Sequence, residues 1–414
     1  MVIWGLSSAR PSSAELTSWK EIAAFLGVSV RTAQLWEAQR GLPVRRLPGG
    51  RSRVSVSLAA LEAWRETQRA GPPPAPARHP ALTVFRAALV GAALVASAAA
   101  LWLALRPPPQ PAALDLDGDA LVVLDRHGHE LWRKRFVAPL LPPIDGGGSR
   151  GWVGDLEGDG KLEVLFAPAV SPSAAAPLTC LGEGGAEKWR FLPGREVATS
   201  LGRYSREFRV ETFVVFPIGG RSVIAVASSE KSGHPAQVAL LSARGELQAE
   251  YWHSGNLISL AAGDLDRDGA PELYAGGVSS SFGAATLIAL DPRAMAGASR
   301  EPEGSGHQIT GFPPPRERAR LILPRSCINR LVGTHSTVTE ISLEGGRITA
   351  GVREAARNPA RPRMFYHFTP AMQFQSAVPS DGFRELHRRL ESIGSLDHPL
   401  SADEEPFRAV RRVP

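Results

Sequence analysis

The run Ala87 to Leu105, AALVGAALVASAAALWLAL, constrains this chain more than any other stretch. Its nineteen residues carry no charge, and Arg86 and Arg106 close it at either end. A helix of that length covers about 28 Å at roughly 1.5 Å per residue, close to the roughly 30 Å hydrocarbon core of a bilayer. A buried helix of a soluble core would be shorter and would show a polar side. The run therefore reads as one transmembrane helix over 87–105, dividing the chain into two parts.

Flanking charge gives the expected orientation. Over residues 67–86 the charged side chains are Arg69, Arg78 and Arg86; over 106–125, Arg106 stands against Asp115, Asp117, Asp119 and Asp125. Basic flanks stay cytoplasmic, which predicts a single-pass protein of the inner (cytoplasmic) membrane, N-terminus inside and C-terminal part extracytoplasmic. The run starts more than eighty residues in and lacks a nearby small-x-small exit, so a cleavable signal peptide fits poorly. The net charge of +6 is uneven: residues 1–106 hold 13 Arg and Lys against 5 Asp and Glu, leaving the remainder slightly acidic. A basic N-terminal part points to a polyanion such as nucleic acid or to the inner membrane surface.

Residues 15–69 carry helix signals. Ser18-Trp19-Lys20-Glu21 matches a capping box, followed by Trp19, Ile22, Ala23 and Leu26 at helical spacing. Gly27 ends that helix, and Ser29 caps a second that places Val30, Ala33 and Trp36 inward. Pro43–Leu47 and Arg53–Val56 read as two short strands around a Pro-Gly-Gly-Arg turn, and Ser57 caps a third helix with Leu58, Leu61 and Trp64 on one side. This order, in LTSWKEIAAFLGVSVRTAQLWEAQRGLPVRRLPGGRSRVSVSLAALEAW, resembles the excisionase and mercury-resistance-regulator class of winged helix-turn-helix domains. The resemblance implies binding to double-stranded DNA, with Arg31, Thr32 and Gln34 reading bases and Arg45, Arg46, Arg51 and Arg53 gripping phosphates. Docking to protein is the alternative use of such a module. A module this small implies a homodimer, for which Ala88, Ala92, Ala96 and Ala100 offer a small-residue row on the apolar run. Pro-rich linkers are expected over 70–86 and 106–112.

Beyond the second linker helical periodicity gives way to short apolar runs broken by Gly and Pro. LVVLDRHGHELW from Leu121, LTCLGEGGAEKW from Leu178, VALLSARGELQAEYW from Val238 and LIALDP from Leu287 recur at a period near fifty residues, which suggests a β-propeller over 113–380 with about five or six blades. Two loops fall between these runs, GDLEGDGKLE from Gly154 and GDLDRDGAPE from Gly263. They resemble the calcium loop of integrin-type FG-GAP repeats, although the family's Phe-Gly and Gly-Ala-Pro signature is not clear here. Carboxylates at positions 1, 3, 5 and 9 with Gly at 6 let oxygens converge on a hard cation. Asp264, Asp266, Asp268 and Glu272 fit, with the Ala270 carbonyl; Asp155, Glu157, Asp159 and Glu163 fit with a longer side chain at position 3. The expected cofactor is a structural calcium ion (Ca2+). Asp115, Asp117 and Asp119 lack the Gly and the final carboxylate.

Cys180 and Cys327 both fall in the part expected to be exported, where a disulfide persists if their Cα atoms are near enough. No catalytic motif is visible, so the chain reads as a non-enzyme. In the tail, 381–414, Phe383, Leu386, Leu390 and Ile393 make an apolar helix face, with Arg384, His387, Arg388 and Arg389 turned away. The fold class read from the sequence is thus multidomain: a small α+β winged helix-turn-helix, one transmembrane helix, and an all-β propeller-like domain ending in a helix. The function this layout implies is a membrane-tethered DNA-binding transcriptional regulator whose extracytoplasmic propeller senses or binds an unknown ligand or protein. The alternative is a membrane-anchored surface-binding propeller whose helix-turn-helix module docks to protein.

Overall fold

The computed structural model describes residues 15–46, 53–71, 80–105, 108–141, 150–169, 175–355, 358–400 and 407–413. They hold seven β-sheets and six helices, and the chain divides into two compact units, Met1–Arg106 and Pro107–Pro414.

The first unit runs β1 (Glu15–Ser18), α1 (Trp19–Leu26), α2 (Val30–Arg40), β2 (Arg45–Arg46), β3 (Arg53–Ser57), α3 (Leu58–Arg69) and α4 (Pro80–Leu105). Local chemistry sets its helix ends. The Ser18 hydroxyl accepts the Glu21 N–H at 3.3 Å, and the Glu21 carboxylate accepts the Thr17 N–H at 2.8 Å. Ser29 and Ser57 cap α2 and α3 in the same way. Gly27, at φ 72°, ends α1 in a left-handed turn that a side chain would resist. Trp19, Ile22, Ala23 and Leu26 bury one face of α1 against Ala33, Leu42, Val54, Val56 and Leu61.

The strands flanking the Pro-Gly-Gly-Arg turn pair as expected, but β1 joins them, giving a three-stranded sheet in the order β1-β3-β2 with β3 at its centre rather than a hairpin alone. The expected membrane-crossing helix is not found: among the described residues no helix is long and apolar enough to cross a membrane. The single-pass assignment, its inner-membrane location and its orientation lose their basis, as does a homodimer joined through Ala88, Ala92, Ala96 and Ala100. Of the expected linkers, residues 72–79 and 106–107 lie outside the described residues, and 80–86 belong to α4.

The second unit is built from antiparallel meanders. The first is β4 (Ala113–Asp117), β5 (Ala120–Leu124) and β6 (Glu130–Arg135). The second is β7 (Gly151–Gly154), β8 (Glu163–Phe166), β9 (Leu178–Leu181) and β10 (Glu187–Phe191), and a hairpin of β11 (Val197–Thr199) and β12 (Gly202–Tyr204) follows. The third is β13 (Phe208–Ile218), β14 (Arg221–Glu230), β15 (Ala236–Ser242) and β16 (Leu247–His253). The fourth is β17 (Asn256–Gly263), β18 (Glu272–Ser279), β19 (Ala284–Leu290) and β20 (Glu317–Ile322). After α5 (Cys327–Val332), the fifth is β21 (Thr337–Glu344), β22 (Arg347–Arg353), β23 (Arg363–Phe368) and β24 (Phe374–Pro379). Then come α6 (Asp381–Ser392) and β25 (Arg411–Val413), which pairs with β20 as a fifth strand of the fourth meander.

Side chains alternate faces along a strand, so a sheet covered on both sides shows unbroken apolar runs. That is the case here. On β8, Val164 and Phe166 meet Leu121 and Val123 of the first meander, while Leu165 between them meets the third. On β14, Ile224 and Val226 face the second meander, and Ala225 and Ala227 face the fourth. On β18, Leu273 and Ala275 face the third meander and Tyr274 the fifth. The meanders therefore pack face to face in chain order, as propeller blades do. Each Leu or Val so buried contributes about 1.5–3 kcal/mol.

The sequence repeat has a physical cause in this packing. Trp132 Nε1 donates to the Glu183 carbonyl at 2.6 Å, in the tight turn of the second meander, and Trp189 Nε1 donates to the Ala243 carbonyl at 3.1 Å in the third. A Cβ on Gly245 would come within 2.6 Å of the Trp189 ring, so each indole needs a glycine turn in the next meander. Cys180 and Cys327 are not bridged: Cys180 is buried in β9 and Cys327 opens α5.

Candidate cation site

The loop between β17 and β18 brings Asp264, Asp266 and Asp268 together, with one oxygen of each within 4.8 Å of the others. Backbone geometry makes the gathering possible. Arg267 at φ 61° and Gly269 at φ 85° take left-handed conformations that curl the loop around its own carboxylates. Asp264 accepts the N–H groups of Asp268 (3.1 Å) and Gly269 (2.9 Å), and Asp268 accepts that of Ala270 (2.8 Å). Glu272, the first residue of β18, is the deepest member, with its side chain only 4% exposed. Its carboxylate is met by Arg318 and by the backbone N–H of Leu265, and its Oε2 is fully buried.

A cation already faces this set. Arg318, on β20, lies 3.4 Å from Asp266, 3.9 Å from Asp268 and 3.7 Å from Asp291, and hydrogen-bonds Glu272. Burial pushes the Glu272 carboxyl above the usual carboxylate range, and the Arg318 charge pulls it back only in part. Asp266, Glu272 and Arg318 also line a cavity of about 710 Å³, walled by Tyr274, by the β23–β24 turn (Thr369 to Gln373) and by Arg412. The Tyr274 hydroxyl is buried with no hydrogen-bond partner among the described residues.

The loop between β7 and β8 is arranged differently. Asp155 accepts three N–H groups, from Gly158, Asp159 and Gly160, and Asp159 accepts that of Lys161. Glu163 accepts the Leu156 N–H at 3.0 Å. Lys188, on β10, binds both Glu157 and Glu163. The carboxylates of this loop are spread over backbone donors and a lysine, and they are not among the two groups of three ligand atoms gathered in the described residues. The second such group, Cys327 with His387 and His398, was not anticipated; its members lie far apart in sequence. One signal for it is present: His387 stands four residues after Phe383 and so shares its apolar face. It is fully buried rather than turned away.

The residues expected to read DNA do not present a site for it. The Thr32 hydroxyl lies 2.7 Å from that of Ser29 and completes the cap of α2. Arg46 is held by the Glu37 carboxylate of α2 at 2.8 and 3.0 Å, so one of the hairpin charges is matched from the neighbouring helix. Arg31 and Gln34 are exposed beside Val30 and Leu35, two apolar side chains also left to solvent, and Arg45 and Arg53 are exposed. Arg51 lies outside the described residues.

No protein-family model matches the chain, and no curated protein matches it. Similar solved structures include a protein of unknown function from Bacteroides caccae, 11% identical with a TM-score of 0.27, covering 66% of this chain and 95% of that one. BBS1N in complex with ARL6DN is 12% identical with a TM-score of 0.32, covering 65% of this chain and 69% of that one. These values are low, so the fold rests on the chain's own strand pairing. The resemblances to the excisionase and mercury-resistance-regulator class and to FG-GAP repeats are not supported by any matching model. With the wing arginines neutralised in part and no membrane-crossing helix among the described residues, neither the membrane-tethered regulator nor the membrane-anchored surface protein stands.

Proposed function

We propose that the second unit acts by binding, and that Asp264, Asp266, Asp268 and Glu272 hold a calcium ion at the mouth of the 710 Å³ cavity. The observation that carries this is the gathering of three aspartates beside Glu272, a carboxylate sealed in β18 that burial holds above the usual range. Burying a carboxylate costs more than Arg318 returns here, and a divalent cation that prefers six to eight oxygen ligands offsets that cost. Calcium competes with Arg318 for the same oxygens. When the ion binds, Arg318 is released toward the cavity it already lines, alongside Arg412, and the cavity becomes more attractive to an anionic group. The loop at Asp155 carries its own counter-ion in Lys188 and needs no metal.

Calorimetric titration of the full-length protein with calcium tests this. Wild type is expected to bind one ion, Asp268→Asn and Glu272→Gln to lose it, and Arg318→Gln to bind about tenfold more tightly, because a competing charge is gone. Failure of wild type to bind calcium at millimolar concentration, or binding indifferent to Asp268→Asn, would overturn the assignment and leave Arg318 as the permanent counter-ion of the loop.

A further inference from the structure

We propose that Cys327, His387 and His398 form a zinc site that pins the C-terminal helix to the fourth and fifth meanders. Three separate elements bring these side chains together. Cys327 opens α5, His387 lies on the buried face of α6, and His398 sits on the segment that folds back after α6 ends. The Ser395 and Leu396 N–H groups donate to the Leu390 carbonyl, which makes that reversal. The His387 and His398 rings meet edge to face with centroids 5.7 Å apart. One sulfur or nitrogen from each residue lies within 4.8 Å of the others. A tetrahedral zinc ion with roughly 2.3 Å Zn–S and 2.0–2.1 Å Zn–N bonds sets its ligand atoms about 3.4–3.6 Å apart, so closing the site takes side-chain rotation of about an ångström.

The donor set selects the metal. One thiolate and two imidazoles are soft to borderline ligands that suit zinc and disfavour calcium or magnesium. The surroundings are those of a built metal centre. His387 Nδ1 faces the Glu391 carboxylate at 3.9 Å, and His398 Nδ1 lies 2.8 Å from Asp397. The Asp397 carboxylate orients the His398 ring by hydrogen bonding, whereas Glu391 stands beyond hydrogen-bond distance of His387 and acts on it through charge alone. Around them Phe383, Leu386, Leu390, Leu396 and Phe407 form an apolar shell. With three protein ligands, the fourth position falls to water or to an incoming donor. This site is separate from the Asp264 loop and does not depend on the calcium assignment.

Cobalt(II) and zinc titrations of the metal-stripped full-length protein test the proposal. One equivalent of cobalt should give a thiolate-to-metal charge-transfer band, zinc should displace it, and Asp268→Asn should leave it unchanged. Cys327→Ser should abolish the band, and His398→Asn should weaken binding at least about hundredfold. Stoichiometric zinc should also slow iodoacetamide alkylation of Cys327 in wild type, a readout that needs no variant to fold. Absence of the band with alkylation unaffected by zinc overturns the proposal, as does a band that survives Cys327→Ser.

Discussion

Replacing Glu354 by glutamine should change how stability depends on pH. Glu354 follows β22 and is fully buried. Ser326 donates to its Oε2 at 2.9 Å, whereas Oε1 is buried with no hydrogen-bond partner among the described residues. Burial pushes its carboxyl from 4.5 up to about 8, against a partial pull downward from Ser326 and the Arg325 charge. Between these two values the folded protein holds a proton that the unfolded chain has released, so stability falls as pH rises across the window. The slope is about 1.4 kcal/mol per pH unit, which gives a ceiling of about 5 kcal/mol over the whole window. Glutamine reproduces the protonated form and removes the loss. Thermal unfolding of both proteins from pH 4.5 to 8.5 should therefore show little difference at the acid end. The variant should gain steadily toward pH 8, at about 2 °C or more per kcal/mol. Taking the difference between the proteins cancels carboxylates of opposite sign, such as Asp125 and Asp291, which are held below their usual range. A difference that is flat with pH, or that grows toward acid, would refute the reasoning.

Three further outcomes follow from the packing. Gly277→Ala places a Cβ 1.9 Å from the Asn256 carbonyl oxygen on the neighbouring strand, and chemical denaturation should show a loss of at least about 2 kcal/mol; stability near wild type would mean the strands are not packed this closely. Lys188→Met strips the counter-ion from Glu163, whose side chain is 2% exposed. With the lysine itself a third exposed, the expected loss is about 1–2 kcal/mol, largely recovered on adding Glu163→Gln. Ser18→Ala removes the cap of α1 and should cost about 1 kcal/mol in the first unit, read by helix signal in a melt.

What was legible along the chain was mostly chemistry that closes within a few residues. Ser18, Ser29 and Ser57 cap helices because hydroxyl and N–H lie three residues apart, a spacing visible in the sequence. The loop from Asp264 to Glu272 is of the same kind, since left-handed residues inside it gather aspartates two positions apart. Charge was less legible. Counting the arginines of the hairpin treats them as solvated, yet Arg46 finds Glu37 nine residues away on α2. The apolar run from Ala87 shows the same limit: its composition suggests a span, yet among the described residues no helix is long and apolar enough to cross a membrane.

By itself, then, the sequence determined where helices and turns begin and end, which runs are apolar, and which loop can curl around a cation. Those outcomes depend on hydrogen bonds and steric limits between near neighbours. Tertiary structure alone decided what stands opposite each group. Arg318 reaches Glu272 across 46 residues, Lys188 reaches Glu163 across 25, and Cys327, His387 and His398 converge from three elements. Such pairings depend on the register and stacking of meanders, which place β20 beside the β17–β18 loop and fold the tail over α5, and no local spacing encodes them.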